Sequence, residues 1–399
     1  MRLNTVRKYY QSRNANGALF GKVSNIYWLF EGNIDPRMDL FSDRGSFFIL
    51  ILSDRVLIIC PTTIYRRLKE EVFTGFDFEY LEYPWYGDPL PLLEKLGHKF
   101  GTIVTDLPEL RGVKGYIGVD DSFYSEKMVL SERELTRLRA VGKLSESMLY
   151  EFSPELSPGL TEIEIEKVLR ALLNEMGLEV PFIGVCSDER ITSYSQSHST
   201  EKRVKRYLRI SLTTQKQGLR VSLTRFFYFG TIPSELITVH EKACALYAHL
   251  AFDTLNSETM EEVYNKIHQA YSVLGLKREK QELYVGGHTG YVDRSFLVYT
   301  RNVKIRPCTA YAYGIDYESA RSEDTFLIKN DGNAEFLTLG EDFPKIVVAA
   351  TRIPSGLTRT HSELSRTATQ LKKHLTLARL SADGATIKTV VGCTGRTPF

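Results

Sequence analysis

Two apolar runs, Phe47-Phe48-Ile49-Leu50-Ile51-Leu52 and Val56-Leu57-Ile58-Ile59-Cys60, stand on either side of Ser53-Asp54-Arg55. Each is one strand long and unbroken by polar residues, which is the pattern of strands buried on both faces and joined by a tight turn. A chain that makes such strands must cover both sides of its sheet. The runs do not reach the roughly 20 uninterrupted apolar residues that a bilayer requires. The N-terminal segment MRLNTVRKYYQSRNANG is polar and lacks the apolar core of a signal peptide. No membrane partner is expected.

Around those runs, residues 18–128 read as strands alternating with helices: Ala18–Val23, Ser46–Leu52, Val56–Cys60, Gly101–Val104 and Tyr116–Val119 as strands, Thr62–Val72 as a helix. Such alternation implies a three-layer α/β unit. Ser131-Glu132-Arg133-Glu134 and Thr161-Glu162-Ile163-Glu164 have the spacing of capping boxes, and open helices expected to reach about Phe152 and Met176. Strands are expected at 180–186, 207–213 and 219–229, helices at 234–255 and 259–274, and a strand-rich block at 283–338. From 351 onward eight Lys and Arg face two acidic residues among many Ser and Thr, the mark of a solvated basic tail. The expected organisation is a domain at 1–128, a second at 129–350, and a tail at 351–399. Helix–helix–strands occurs twice in the second domain, an order that implies internal duplication, although no residue-level repeat is evident.

The 399 residues carry 51 Lys and Arg against 49 Asp and Glu, a net charge of +2 that opposes a dedicated nucleic-acid binder. Cys60, Cys186, Cys244, Cys308 and Cys393 are odd in number and far apart, so neither a disulfide framework nor a CxxC pair is present. Reducing cytoplasm is the expected compartment. GxSxG, GxxxxGK[ST] and a GxGxxG after a strand are all missing.

Five segments in order carry a resemblance: Val23-Ser24-Asn25-Ile26-Tyr27-Trp28-Leu29 to an "SNxxYL" opening strand and loop; Gly159-Leu160-Thr161-Glu162 with Glu164 to "GxTExEI"; Ser222-Leu223-Thr224-Arg225 with Phe229-Gly230 to "DLTRTFxxG"; Gly286-Gly287-His288-Thr289-Gly290 to "GHGxG"; and Arg321-Ser322-Glu323-Asp324 to "RxED". Over residues 15–350 the chain thus resembles the creatinase, prolidase and aminopeptidase P group of Xaa-Pro metallopeptidases. The resemblance implies an α+β fold, a C-terminal pita-bread domain preceded by a smaller three-layer α/β domain of the creatinase type. It also implies a homodimer. Members of the group hold two divalent ions with two Asp, one His and two Glu, hard donors that acidify a bridging water. Carried over by position, these fall on Ser211, Ser222, Gly287, Gly314 and Glu323. Serine hydroxyls and glycines cannot replace carboxylates and an imidazole, so neither a metal nor another cofactor is expected.

Residues left for chemistry are His288 and Glu323, an acid/base pair of the metal-free kind found in creatinase, with Arg294, Tyr291, Tyr313, Arg225 and His198 as ligand-binding groups. Each has a plainer alternative: His288 as a backbone-bonded loop residue, Glu323 and Arg225 as members of buried ion pairs, Tyr313 as core. Alternation puts Ser222 and Thr224 on one face of their strand and Leu223 and Arg225 on the other. His240 and Cys244, spaced as in HExxH, read as packing residues. Three functions remain open: a homologue without dinuclear hydrolysis that binds a small peptide-like or amidine-like ligand or a protein; a metal-independent C–N hydrolase or lyase; and an active Xaa-Pro metallopeptidase.

Overall fold

The computed structural model describes residues 1–276, 285–292, 303–340 and 343, together with the backbone of strands at 345–349 and 386–390. Arg294 and most of the tail lie outside the described residues. The chain divides into two compact units, Met1–Lys127 and Met128–Phe399.

In the first unit, α1 (Leu3–Ser12), β1 (Gly17–Lys22), α2 (Val23–Leu29), β2 (Arg44–Leu52), β3 (Val56–Pro61), α3 (Tyr65–Arg67), β4 (Glu79–Tyr83), α4 (Leu90–Phe100), β5 (Ile103–Thr105), β6 (Tyr116–Gly118) and α5 (Asp121–Lys127) follow one another. The strands form one six-stranded sheet in the order β4-β3-β2-β1-β5-β6. The two apolar runs are β2 and β3, paired antiparallel in its middle. Leu19, Phe48, Leu50, Leu57 and Ile59 pack with Leu93 and Leu96 of α4 on one face. Phe20 on the other face stacks on Phe123 of α5, which also meets Tyr9 of α1 and Trp28 of α2. Three layers result because β2 has no polar face to give to water.

Val23–Leu29 is a helix, not the strand and loop expected of it. Its Val, Ile, Tyr and Trp favour a strand by propensity, but a tertiary anchor overrides them. Asp106 accepts hydrogen bonds from the backbone of Gly21 and Lys22 and from Asn25 Nδ2 at 2.7–3.0 Å, fixing the turn that starts the helix. Helix α1, read only as a polar terminus, buries Val6, Tyr9 and Tyr10 at helical spacing.

The second unit runs α6 (Glu132–Phe152), α7 (Glu162–Glu175), β7 (Glu179–Ser187), α8 (Glu189–Ser193), β8 (Tyr207–Lys216), β9 (Leu219–Tyr228), α9 (Ser234–Leu255), α10 (Met260–Val273), β10 (Gly286–Thr289), β11 (Thr309–Tyr317), β12 (Ala320–Ile328) and β13 (Ala334–Phe336). Both capping boxes form. Thr161 Oγ1 accepts from Glu164 N while the Glu164 carboxylate accepts from Thr161 N at 2.7 Å. Glu134 accepts from Ser131 N at 2.7 Å and, at 2.5 Å, from the hydroxyl of Tyr291. The strands make two antiparallel sheets, β7-β8-β9 and β10-β11-β12-β13. Helix α6 covers β9 and α9 covers β11 and β12. At the seam between the sheets, Thr325 Oγ1 accepts from Ser222 N and donates to Ser222 O, at 2.8 and 2.9 Å. Strand β14 (Lys345–Ala349) pairs antiparallel with β15 (Thr386–Val390), an element inside the segment read as a solvated tail. No helix among the described residues is long and apolar enough to cross a membrane.

Candidate functional site

Strand alternation sorts the second unit's residues into an inner face and a helix-covered face. On β8 and β9 the inner face carries Arg209, Ser211, Thr213, Ser222 and Thr224, since Ser211 pairs with Thr224 and Thr213 with Ser222. On β10, β11 and β12 it carries Gly287, Ala312, Gly314, Arg321, Glu323 and Thr325, because Gly287 faces Ala312 and Gly314 faces Glu323. All five positions assigned from the resemblance, Ser211, Ser222, Gly287, Gly314 and Glu323, therefore share one face.

Hydrogen bonds connect them. Ser211 Oγ lies 2.8 Å from Thr224 Oγ1, and Thr224 Oγ1 donates to Glu323 Oε2 at 2.5 Å. Arg321 donates from Nε to Glu323 at 2.8 Å and from Nη1 to Asp316 at 2.6 Å. Burial opposes the charge on Arg321, but the Asp316 and Glu323 carboxylates raise its pKa above the ordinary arginine range. The guanidinium lies against Gly314, where an added Cβ would come 2.3 Å from Nη2, 2.8 Å from Cζ and 3.0 Å from Nε. Any side chain at 314 therefore competes with Arg321 for the same space.

A cavity of about 160 Å³ opens on this face, lined by Phe182 and Gly184 of β7, Ser195–Ser197, Arg209, Ser211, Thr213, Arg321 and Glu323. Arg209 is buried and donates from Nη2 to Tyr194 O at 2.9 Å and Ser197 Oγ at 3.1 Å. Burial, and then the like charge of Arg321, lowers its pKa. Ser195 Oγ donates to Asp316 at 2.5 Å, so three hydrogen bonds pin the 194–197 segment over the cavity. Among the described residues, no group of three or more His, Cys, Asp and Glu is placed to hold a metal ion. A pair of dications does not fit a lining with two guanidiniums and one carboxylate.

His288 and Glu323 are not brought together. His288 pairs with Tyr311 and so lies on the helix-covered face, its ring 6.1 Å from and nearly perpendicular to that of Tyr311. Glu323 is on the opposite face of the same sheet, which removes the expected acid/base pair. Tyr313 also faces the helices, fully buried with its hydroxyl 2.9 Å from Thr254 Oγ1 of α9. Arg225 is a core ion pair: it donates to Asp324 Oδ1 at 3.0 Å and to Thr338 O at 2.5 Å. Burial pushes Asp324 up to about 6, although Arg225 pulls against it. Tyr291 is spent on Glu134. His198 is exposed; its carbonyl accepts from Arg190, and its ring lies edge-on to that of Phe182 at 6.5 Å. His240 packs as expected, bonded to the Tyr207 hydroxyl at 2.6 Å, and burial lowers it to about 4. Sequence reasoning missed Arg209. The signal was present, since in Leu208-Arg209-Ile210-Ser211-Leu212 alternation puts Arg209 beside Ser211.

The model of metallopeptidase family M24 matches residues 136–330. No curated protein matches the chain by sequence. Among solved structures, the prolidase of Pyrococcus horikoshii is similar at a TM-score of 0.68 and 18% identity, covering 85% of this chain and 98% of that one. The X-Pro aminopeptidase of Thermotoga maritima is similar at 0.64 and 20%, covering 86% and 98%. The N-terminal domain of FACT complex subunit SPT16 from Eremothecium gossypii is similar at 0.60 and 13%, covering 84% and 95%. At these identities the structures speak for the fold, which is mixed α and β with a prolidase-like pita-bread part. Residues 136–330 are thus the part of the chain that is similar to metallopeptidase family M24.

Proposed function

We propose that this M24-like chain does not carry out dinuclear metal hydrolysis and that its inner-face cavity binds a small ligand. The observation that carries this reading is the position of Arg321. Its guanidinium packs against Gly314, on the face where the family resemblance assigns metal ligands, and is held there by Glu323 and Asp316. Of the five assigned positions, only Glu323 offers a carboxylate, and Arg321 engages it. A second reading, hydrolysis of a C–N bond without metal, loses support from the separation of His288 and Glu323 across the sheet. The fold also occurs in a protein described as a complex subunit rather than a peptidase.

Elemental analysis after incubation with excess Mn²⁺, Co²⁺ and Zn²⁺ and removal of loose ions tests the proposal. Less than 0.1 equivalent per chain is the expected order of magnitude, with no cleavage of an Xaa-Pro dipeptide. Two bound ions per chain together with dipeptide cleavage would overturn it.

A further inference from the structure

We infer that Arg209 is the centre of an oxyanion site, through which the cavity takes a small carboxylate. The inference rests on the reading of the cavity as a ligand site, and adds the chemical class of the ligand and the residue that recognises it.

Among the described residues the second unit holds three deeply buried arginines, 0–4% exposed, on its strands: Arg209, Arg225 and Arg321. Arg225 is paired with Asp324, and Arg321 with Asp316 and Glu323. Arg209 differs. Its acceptors are the neutral Tyr194 carbonyl and Ser197 hydroxyl, and among the described residues no carboxylate forms an ion pair with it. Its Nε is buried without an acceptor. Asp316 and Glu323 act on it only without direct contact, and a buried guanidinium whose N–H groups meet no carboxylate is left short of acceptors unless a ligand supplies one. Here the side chain lines an open cavity rather than a closed core. Planar donors at fixed spacing match the two oxygens of a carboxylate.

Size and charge narrow the class. A cavity of about 150 Å³ holds a molecule of about six heavy atoms, so the 160 Å³ here suits acetate or an acid a few atoms larger. Arg321 is already hydrogen-bonded to two carboxylates, which leaves Arg209 as the guanidinium with a donor to spare. The two arginines are balanced in charge by Asp316 and Glu323, so a monoanion adds one charge beside Glu323 and a phosphate dianion two, which favours the monoanion. The hydroxyls of Ser197, Ser211 and Thr213 line the same space and supply the remaining polar contacts. Among the described residues, holding the 194–197 segment is the only other work of Arg209, and neutral donors would do that without the cost of a buried charge.

The test is thermal unfolding of the full chain at fixed ionic strength, with sodium acetate, inorganic phosphate and MnCl₂ titrated separately. Acetate is expected to give a saturable rise of about 3–6 °C at ten times its half-saturating concentration, and phosphate none. Ser211→Asp places a carboxylate on the same strand face two residues from Arg209. It is expected to raise the midpoint without acetate and abolish the acetate response. Arg209→Lys keeps the charge but not the fork, and is expected to weaken acetate about tenfold or more. No acetate response in the unaltered chain, a response to phosphate alone, or an acetate response unchanged in both variants overturns the inference. A saturable rise with Mn²⁺ overturns the preceding functional reading instead, so the two failures are distinguishable.

Discussion

Replacing Gly314 by alanine adds one methyl group, yet it should damage the site measurably. The added Cβ would lie 2.3 Å from Arg321 Nη2 and 2.8 Å from Cζ, so the guanidinium as a whole must move, not merely its tip. It is clamped at 2.8 Å to Glu323 and 2.6 Å to Asp316, both largely buried, and movement weakens those bonds. Losing one charge-assisted hydrogen bond costs about 1.5–3 kcal/mol. Expelling the cation from its carboxylates altogether costs about 3–5 kcal/mol. The lower range corresponds to a fall of about 3–12 °C in Tm for a domain of this size. Calorimetry and urea unfolding of Gly314→Ala measure it, and the Arg321→Ala background isolates its cause, because the methyl group then has nothing to displace. A loss under about 0.5 kcal/mol in the unaltered background, or an equal loss in both backgrounds, would refute the competition between position 314 and Arg321.

Asp253 on α9 is raised to about 6 from its usual 3.8 by burial, with Lys266 pulling against it. Its folded form therefore holds the proton more tightly than the unfolded chain, and stability is lost as pH rises from about 4 to about 6. Asp253→Asn should stabilise at pH 7.5 by up to about 3 kcal/mol and by close to nothing at pH 4; equal effects at both pH values would show that the carboxyl is not the source. Tyr313→Phe removes the bond to Thr254 and should cost about 0.5–1.5 kcal/mol while leaving the acetate response within about twofold. A larger change in that response would place Tyr313 at the cavity. Thr161→Ala loses the cap of α7 and should cost about 0.5–2 kcal/mol, read from urea midpoints at constant m.

Features set by nearby residues were legible in the sequence. The β2 and β3 runs announce their burial because neither has a polar face, and both capping boxes name their own helix starts. The five positions Ser211, Ser222, Gly287, Gly314 and Glu323 came from the family resemblance alone, and it is the strand register of the structure that brings them to one side. His288 was misassigned for a physical reason: in Gly286-Gly287-His288-Thr289-Gly290 one residue of register separates the inner face from the helix face. Gly286 fixes that register, as a Cβ there would meet Ala312 O at 2.2 Å and its φ is +81°. Nothing local announces helix α2, because the Asp106 side chain that anchors its start is 81 positions from Asn25. Arg209 was legible in principle, but that its direct acceptors are a carbonyl and a hydroxyl rather than a carboxylate is a property of the packed structure.

The buried carboxylate of Glu134 caps α6 through Ser131 and also accepts from Tyr291, a residue 157 positions further along. One end of this helix is thus completed by a contact of very long sequence separation. During synthesis the first turn of α6 leaves the ribosome long before Tyr291 exists, and must wait with its capping carboxylate in water. Long-range closure of this kind slows folding, because the loop entropy is lost before the contact repays it. Hydrogen exchange at the start of α6 should therefore become protected late in refolding, with strand β10, rather than early with the rest of its own helix.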